Sequence, residues 1–229
     1  MRPLAPTPSN EAPVLALFDM DKTLLTANSA SLWLAFERRE ERLTRLDMLR
    51  GLFWLLQYKL GVVDMDTVLL RAQELSSGIA VEVLEERTER WYQEMVRPTI
   101  SEVGAARVEE HRGVGHQVAI LTASTQFGAT PVARELGIED LICTRLEVGP
   151  DGRLTGRVEG DFCFGEGKLR LAEEYARSRR ASLSDAWFYS DSYTDLPLLE
   201  AVGMPVAVNP DPRLKRHARR AGWQTAVFD

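Results

Sequence analysis

Four short apolar runs stand out along the chain, at 14–18, 118–121, 186–189 and 205–208, each ending in polar residues. None alternates apolar with polar, so each predicts a parallel strand buried on both faces. Helical patterns follow the later three. Pro131, Ala133 and Leu136 lead to Gly137; the segment 196–202 is closed by Gly203; Asp211 caps a helix with Pro212 at its first position, ending near Gly222. Strands alternating with helices predict an α/β fold, a Rossmann-like parallel sheet covered on both sides. Segments 142–148 and 153–158 flank Pro150-Asp151-Gly152 and read as a hairpin at the sheet edge.

The first two strands lie about 100 residues apart, far more than a parallel crossover needs. The intervening stretch has apolar residues at spacings of three and four throughout: Leu32, Ala35 and Phe36, then Leu46 and Leu49, later Leu84, Trp91 and Met95. Gly61, Gly78 and Pro98 punctuate it. The expectation is an inserted α-helical bundle of about four helices over 27–98, forming a cap. The core is then 13–26 with 99–229, preceded by a disordered Pro-rich tail over 1–12.

Composition narrows the function. With 34 acidic against 28 basic residues the net charge is −6, which argues against a nucleic-acid binder. The basic runs 177–180 and 215–217 fall late in helices, where cations suit the helix dipole. Cys143 and Cys163 are too few for a disulfide framework and read as reduced. His111, His116 and His217 lack metal-ligand spacing. The start of the chain has no signal-like apolar run, and the longest uncharged apolar stretch, 51–58, is far short of the ~20 residues of a membrane span. A cytoplasmic protein is expected.

The chemistry lies where the strands end, because open parallel sheets bind ligands at their carboxyl ends. Those ends carry Asp19 and Asp21, then Thr122, then Asp191 and Asp195, while Lys168 follows Gly165-Glu166-Gly167 at a helix start. Four carboxylates in one crevice repel and raise one another's pKa values. Lys168 and a divalent cation resolve the conflict, and all-oxygen ligands favour Mg²⁺. Asp19, at the strand tip, is the candidate nucleophile. Asp21 suits general acid–base work on the leaving alkoxide and the attacking water. Thr122 and the backbone N–H groups after it, from Ala123 on, suit a phosphate cradle. Lys168 adds a point charge for phosphoryl oxygens. Asp191 completes a metal shell, and Asp195 orients a metal-bound water or Lys168.

In these residues the sequence resembles the haloacid dehalogenase superfamily of phosphohydrolases. It is most similar to the branch that includes phosphoserine phosphatase, subfamily IB, with a helical C1-type cap. ALFDMDKTLLT, VAILTAST, Lys168 and YSDSYTD match the four superfamily motifs in order. The resemblance implies Asp19 as nucleophile, Asp21 as acid and base, and Thr122, Ala123 and Lys168 as phosphate ligands. It implies Mg²⁺ held by the Asp19 side chain, the Asp21 backbone carbonyl and Asp191. A receiver domain, a P-type ATPase or a true dehalogenase has no use for an acid at Asp21. The expected substrate is a small phosphate monoester, a phosphorylated amino acid or amino alcohol such as histidinol phosphate or phosphoserine. Alternatives are a lipid-like phosphate, with the greasy segment 52–56 as cap wall or membrane-surface contact, and a noncatalytic phosphate-binding module. Asn28 stands where phosphoserine phosphatases carry a glutamate that grips the substrate ammonium. Its neutrality implies that phosphoserine is not the best substrate.

Overall fold

The computed structural model describes residues 4, 12–41 and 76–229. Seven strands form one sheet: β1 (Leu15–Phe18), β2 (Gln117–Thr125), β3 (Asp140–Val148), β4 (Leu154–Glu159), β5 (Trp187–Ser190), β6 (Met204–Val208) and β7 (Gln224–Ala226). Their order is β4-β3-β2-β1-β5-β6-β7. Every pairing is parallel except β3 with β4, the expected edge hairpin. The helices described are α1 (Ser29–Arg39), α2 (Val81–Trp91), α3 (Glu102–Gly113), α4 (Gln126–Glu135), α5 (Glu166–Ser178), α6 (Leu196–Ala201) and α7 (Pro212–Ala221).

The central strand explains its own sequence. All four residues of β1 are fully buried. Ala16 and Phe18 join one apolar cluster with Val108 of α3, Val132 of α4 and Tyr189. Leu15 and Leu17 join the other, with Ala172 of α5, Leu199 of α6 and Leu214 of α7. A strand with apolar layers on both sides has no polar face to show, hence the unbroken run. β1 also lies between β2 and β5, where the winding direction reverses. That is the topological switch point, and the strand ends there open a crevice.

The chain passes one place twice, at 24–26 and at 99–101. Thr26 donates its N–H to the Thr99 carbonyl at 2.7 Å, and Ser101 donates to the Leu24 carbonyl at 2.8 Å. Phe36 of α1, Trp91 of α2, and Tyr92 and Val96 pack into the same apolar cluster as Ala16 and Phe18. Helix was expected throughout 27–98, but Ser76–Gly78 turns and Ala80 bridges to Arg153 beside the edge hairpin. Gly78 has φ 81°, a left-handed conformation that ends a helical path. The centre of the expected bundle, with segment 52–56 and Gly61, lies outside the described residues, as does most of the 1–12 tail. Leu4 packs against the cluster that holds Phe18.

Two further differences have local causes. β7 was not anticipated, because three residues with polar Gln224 and Thr225 show no apolar run; pairing with β6 alone makes it a strand. His111 and His116 are buried in a polar chain. Their Nδ1 atoms lie 2.7 Å apart, and His111 Nε2 lies 2.7 Å from the Tyr189 hydroxyl, to which Arg107 Nε also donates at 2.9 Å. Burial, with Arg107 and His116 adding to it, lowers the His111 pKa to about 3 and keeps that ring neutral.

Candidate active site

Asp19 follows directly on β1, and its N–H donates to the Tyr189 carbonyl at 2.9 Å. This bond fixes the residue against the end of β5, with its side chain buried beyond the strand tip. The chain then makes a wide turn over Met20–Leu24, closed by Leu25 N–H to the Met20 carbonyl at 2.9 Å. Asp21 is extended inside it and Lys22 has φ 53°. A non-glycine residue in that region is uncommon, and it marks a backbone held in place by its surroundings.

Lys168 is the hub. Its ammonium lies 2.7 Å from Asp19 Oδ1 and 2.7 Å from Asp195 Oδ2, and the side chain is only 2% exposed. The Ser190 hydroxyl donates to the same Asp195 oxygen at 2.7 Å. Burial alone favours the neutral amine, but the Asp19 and Asp195 charges outweigh it and raise the Lys168 pKa above its ordinary value. The result is a charged triad, with Asp195 as the carboxylate that holds the lysine toward Asp19. The start of α5 makes this possible. A Cβ on Gly167 would lie 2.1 Å from the Phe162 carbonyl oxygen, so a residue with a side chain there forces the helix start, and Lys168, to move.

Asp21 is held from the first turn of α1. Ser29 donates through its N–H to Oδ1 at 2.8 Å and through its hydroxyl to Oδ2 at 3.0 Å, and Asn28 Nδ2 donates to Oδ2 at 3.2 Å. Burial raises the Asp21 pKa, and the two Ser29 bonds act against that shift. Asn28 Oδ1 accepts from Ser31 N at 3.0 Å, capping α1. Both ends of the Asn28 amide are therefore engaged inside the protein.

Thr122 was expected where a strand meets a helix. Instead β2 continues to Thr125 and α4 begins at Gln126. The β2–β3 register slips between Thr122 and Thr125, so Ala123 and Ser124 bulge out of the ladder. The Thr122 hydroxyl accepts from Ser124 N at 3.2 Å. Ser124 in turn lies 3.3 Å from Ser29, hydroxyl to hydroxyl, joining the bulge to the residue that holds Asp21. Ser29, Ser190 and the bulge escaped the sequence reading. Only the helix-start pattern after Asn28 hinted at the first.

Asp191 follows β5. Its carboxylate accepts no hydrogen bond among the described residues, although the residue is just 9% exposed. Burial raises its pKa to about 6, Lys22 acts against that, and Asp195 adds to it. Asp19 likewise feels Asp21 and Asp195, so the four acids share one electrostatic neighbourhood. No group of three or more His, Cys, Asp or Glu side chains among the described residues forms a ready metal cage. A Mg²⁺ site needs less, because that ion takes one or two carboxylates and keeps several waters. A buried Asp191 whose carboxylate accepts no hydrogen bond among the described residues suits such a cation.

Fold and crevice together define an α/β protein with carboxylates gathered at its strand ends. Comparison with known proteins makes this specific. The haloacid dehalogenase-like hydrolase family matches residues 16–200. Over 218 residues the chain is 32% identical to a histidinol-phosphatase of Neisseria meningitidis, covering 93% of this chain and 98% of that one. Over 140 residues it is 36% identical to a phosphoserine phosphatase of Mycobacterium tuberculosis, covering 61% of this chain but 45% of that longer protein. A solved structure of a protein of unknown function from Bordetella pertussis superposes with TM-score 0.88 at 32% identity, over 96% of this chain and all 100% of that one. A phospho-aspartyl intermediate analogue of phosphoserine phosphatase superposes with TM-score 0.67 at 21% identity, over 96% and 95%, which speaks to the fold. The chain belongs to the haloacid dehalogenase-like hydrolases, and within them it is a phosphoric monoester hydrolase. No helix among the described residues is long and apolar enough to cross a membrane.

Proposed function

We propose that the chain hydrolyses a small, amine-bearing phosphate monoester through an aspartyl phosphate on Asp19, with 27–98 acting as the cap over the crevice. The observation that carries this reading is the Asp19 carboxylate at the strand tip, its Oδ1 bound to Lys168 and its Oδ2 free of donors among the described residues. Oδ2 attacks phosphorus, the ester O–P bond breaks, and Asp21 protonates the departing alkoxide. Asp21 then takes a proton from water as that water attacks the phosphoaspartate, which releases phosphate and restores Asp19. Thr122, the Ala123 backbone and Lys168 hold the phosphoryl oxygens. Asp195 keeps Lys168 oriented. Asp19, the Asp21 carbonyl and Asp191 would hold Mg²⁺, which supplies charge neutralisation for the transferring group. EDTA is expected to stop turnover, Mg²⁺ to restore it, and Ca²⁺ to fail, since Ca²⁺ favours more ligands and looser geometry. Full activity in chelator would sink the metal assignment.

Two findings support histidinol phosphate over phosphoserine as the substrate type. The Neisseria relative matches along nearly its whole length, and Asn28 spends its amide on Asp21 and on the α1 cap. Turnover of a panel of phosphomonoesters checks this; a marked preference for phosphoserine would overturn it. Asn28→Asp is expected to slow every substrate by about tenfold, because a second carboxylate at this position repels Asp21 and removes a donor worth roughly 1.5 kcal/mol. Faster turnover of amine-bearing esters alone would instead assign Asn28 to substrate reading.

A further inference from the structure

Helix α7 carries Arg213, Lys215, Arg216, Arg219 and Arg220 and no acid, on a chain of net charge −6. Leu214 and Ala218, one turn apart, anchor it in the core. The cations are thereby turned outward. Arg213, Arg216, His217 and Arg220 share one face by their i, i+3, i+4, i+7 spacing, and with Tyr193 they line a cleft of about 340 Å³. Arginines elsewhere, such as Arg87, Arg97, Arg134 and Arg179, meet a carboxylate. None of the α7 arginines does so among the described residues. Two acids lie close to this face: Glu200, 3.4 Å from His217 Nε2, and Asp211, whose carboxylate is spent on the N–H groups of Tyr193, Arg213 and Leu214.

The cleft is partly built in advance. The Arg213 guanidinium lies 4.1 Å above the centre of the Tyr193 ring. Tyr193 is itself fixed by its N–H, which donates to Asp211 Oδ2 at 2.6 Å. Stacking restrains the guanidinium without using its N–H donors, so they stay available to a ligand.

We infer that this cleft is a second anion site, separate from the catalytic crevice, for a di- or triphosphate group. Arg213 and Arg220 are seven residues apart, about 10 Å along the helix axis, with Arg216 between them, so the cations form a row that successive phosphoryl groups can follow. Arginine forks match phosphoryl oxygens two at a time. Arg213 already covers one face of the Tyr193 ring, so a ligand on that side meets the guanidinium and not the ring. The recognised chemistry is the row of phosphates. A concave wall fits a small polyphosphate better than a flat lipid surface.

Isothermal titration of the full chain with sodium tripolyphosphate in EDTA, at physiological ionic strength, tests this. Wild type is expected to bind with one-to-one stoichiometry, and excess glycerol phosphate is expected to leave that binding unchanged. Arg216→Glu with Arg220→Glu, both exposed positions, is expected to weaken it at least tenfold. Arg216→Gln with Arg220→Gln serves if the charge reversal impairs folding. Absence of saturable binding by wild type, equal binding by the double variant, or displacement by glycerol phosphate would each overturn the proposal. So would tighter retention on anionic phospholipid vesicles than by tripolyphosphate, which would make the face a membrane contact.

Discussion

Asp19→Asn is expected to lower phosphomonoester turnover by at least ~10³-fold, since an amide oxygen is a poor nucleophile and one reactive group cannot be replaced by its neighbours. The fold should survive. Asp19 is buried, and burial raises its pKa while the Lys168 charge opposes that shift. Replacing a buried carboxylate by a neutral isostere removes a desolvation cost. Lys168 keeps its second partner, Asp195, at 2.7 Å, and the amide oxygen can still accept from the ammonium. Thermal melting should therefore shift by only a few degrees while steady-state turnover collapses. Retained activity in this variant would refute the aspartyl-phosphate mechanism. Loss of activity together with loss of the fold would show that the triad is needed for stability first.

Lys168→Met reverses that pattern, with a large effect on stability as well as on catalysis. The ammonium is the shared partner of Asp19 and Asp195. Without it, two buried carboxylates face each other unpaired, and breaking a buried pair in this way costs about 3–5 kcal/mol. For a domain of this size that corresponds to a fall in Tm of roughly 10 °C. Adding Asp195→Asn to Lys168→Met removes one stranded charge and is expected to restore several of those degrees without restoring turnover. Calorimetry of the two variants checks both parts. An unchanged Tm in Lys168→Met would mean that Asp19 and Asp195 are neutral or hydrated in the native protein, and the charged triad would have to be abandoned.

The two kinds of residue were not equally legible. The apolar runs marked β1, β2, β5 and β6 because a strand buried on both faces leaves no alternative to continuous apolar sequence. The edge hairpin was readable from Pro150-Asp151-Gly152, and the start of α7 from Asp211-Pro212. Lys168 was picked out by motif order alone, since a lysine at a helix start is most often solvated. Its 2% exposure and two carboxylate partners became visible only in three dimensions. β7 and the continuation of β2 were hidden because short or polar strand segments exist through pairing and carry no pattern of their own.

Sequence by itself determined the order of the strands and which carboxylates end them. These are local properties, encoded in runs, caps and spacing. Tertiary structure alone decided how those groups are partnered. Ser29 of α1 reaches back to Asp21 and across to Ser124. Ser190 and Lys168 converge on one oxygen of Asp195. Asn28 turns inward to Asp21. Each of these contacts joins residues brought together by the turn of a helix or the packing of a sheet, and hydrogen bonds act over about 3 Å. A linear pattern carries no distance on that scale, so the partners, and with them the charge state of each acid, follow from packing.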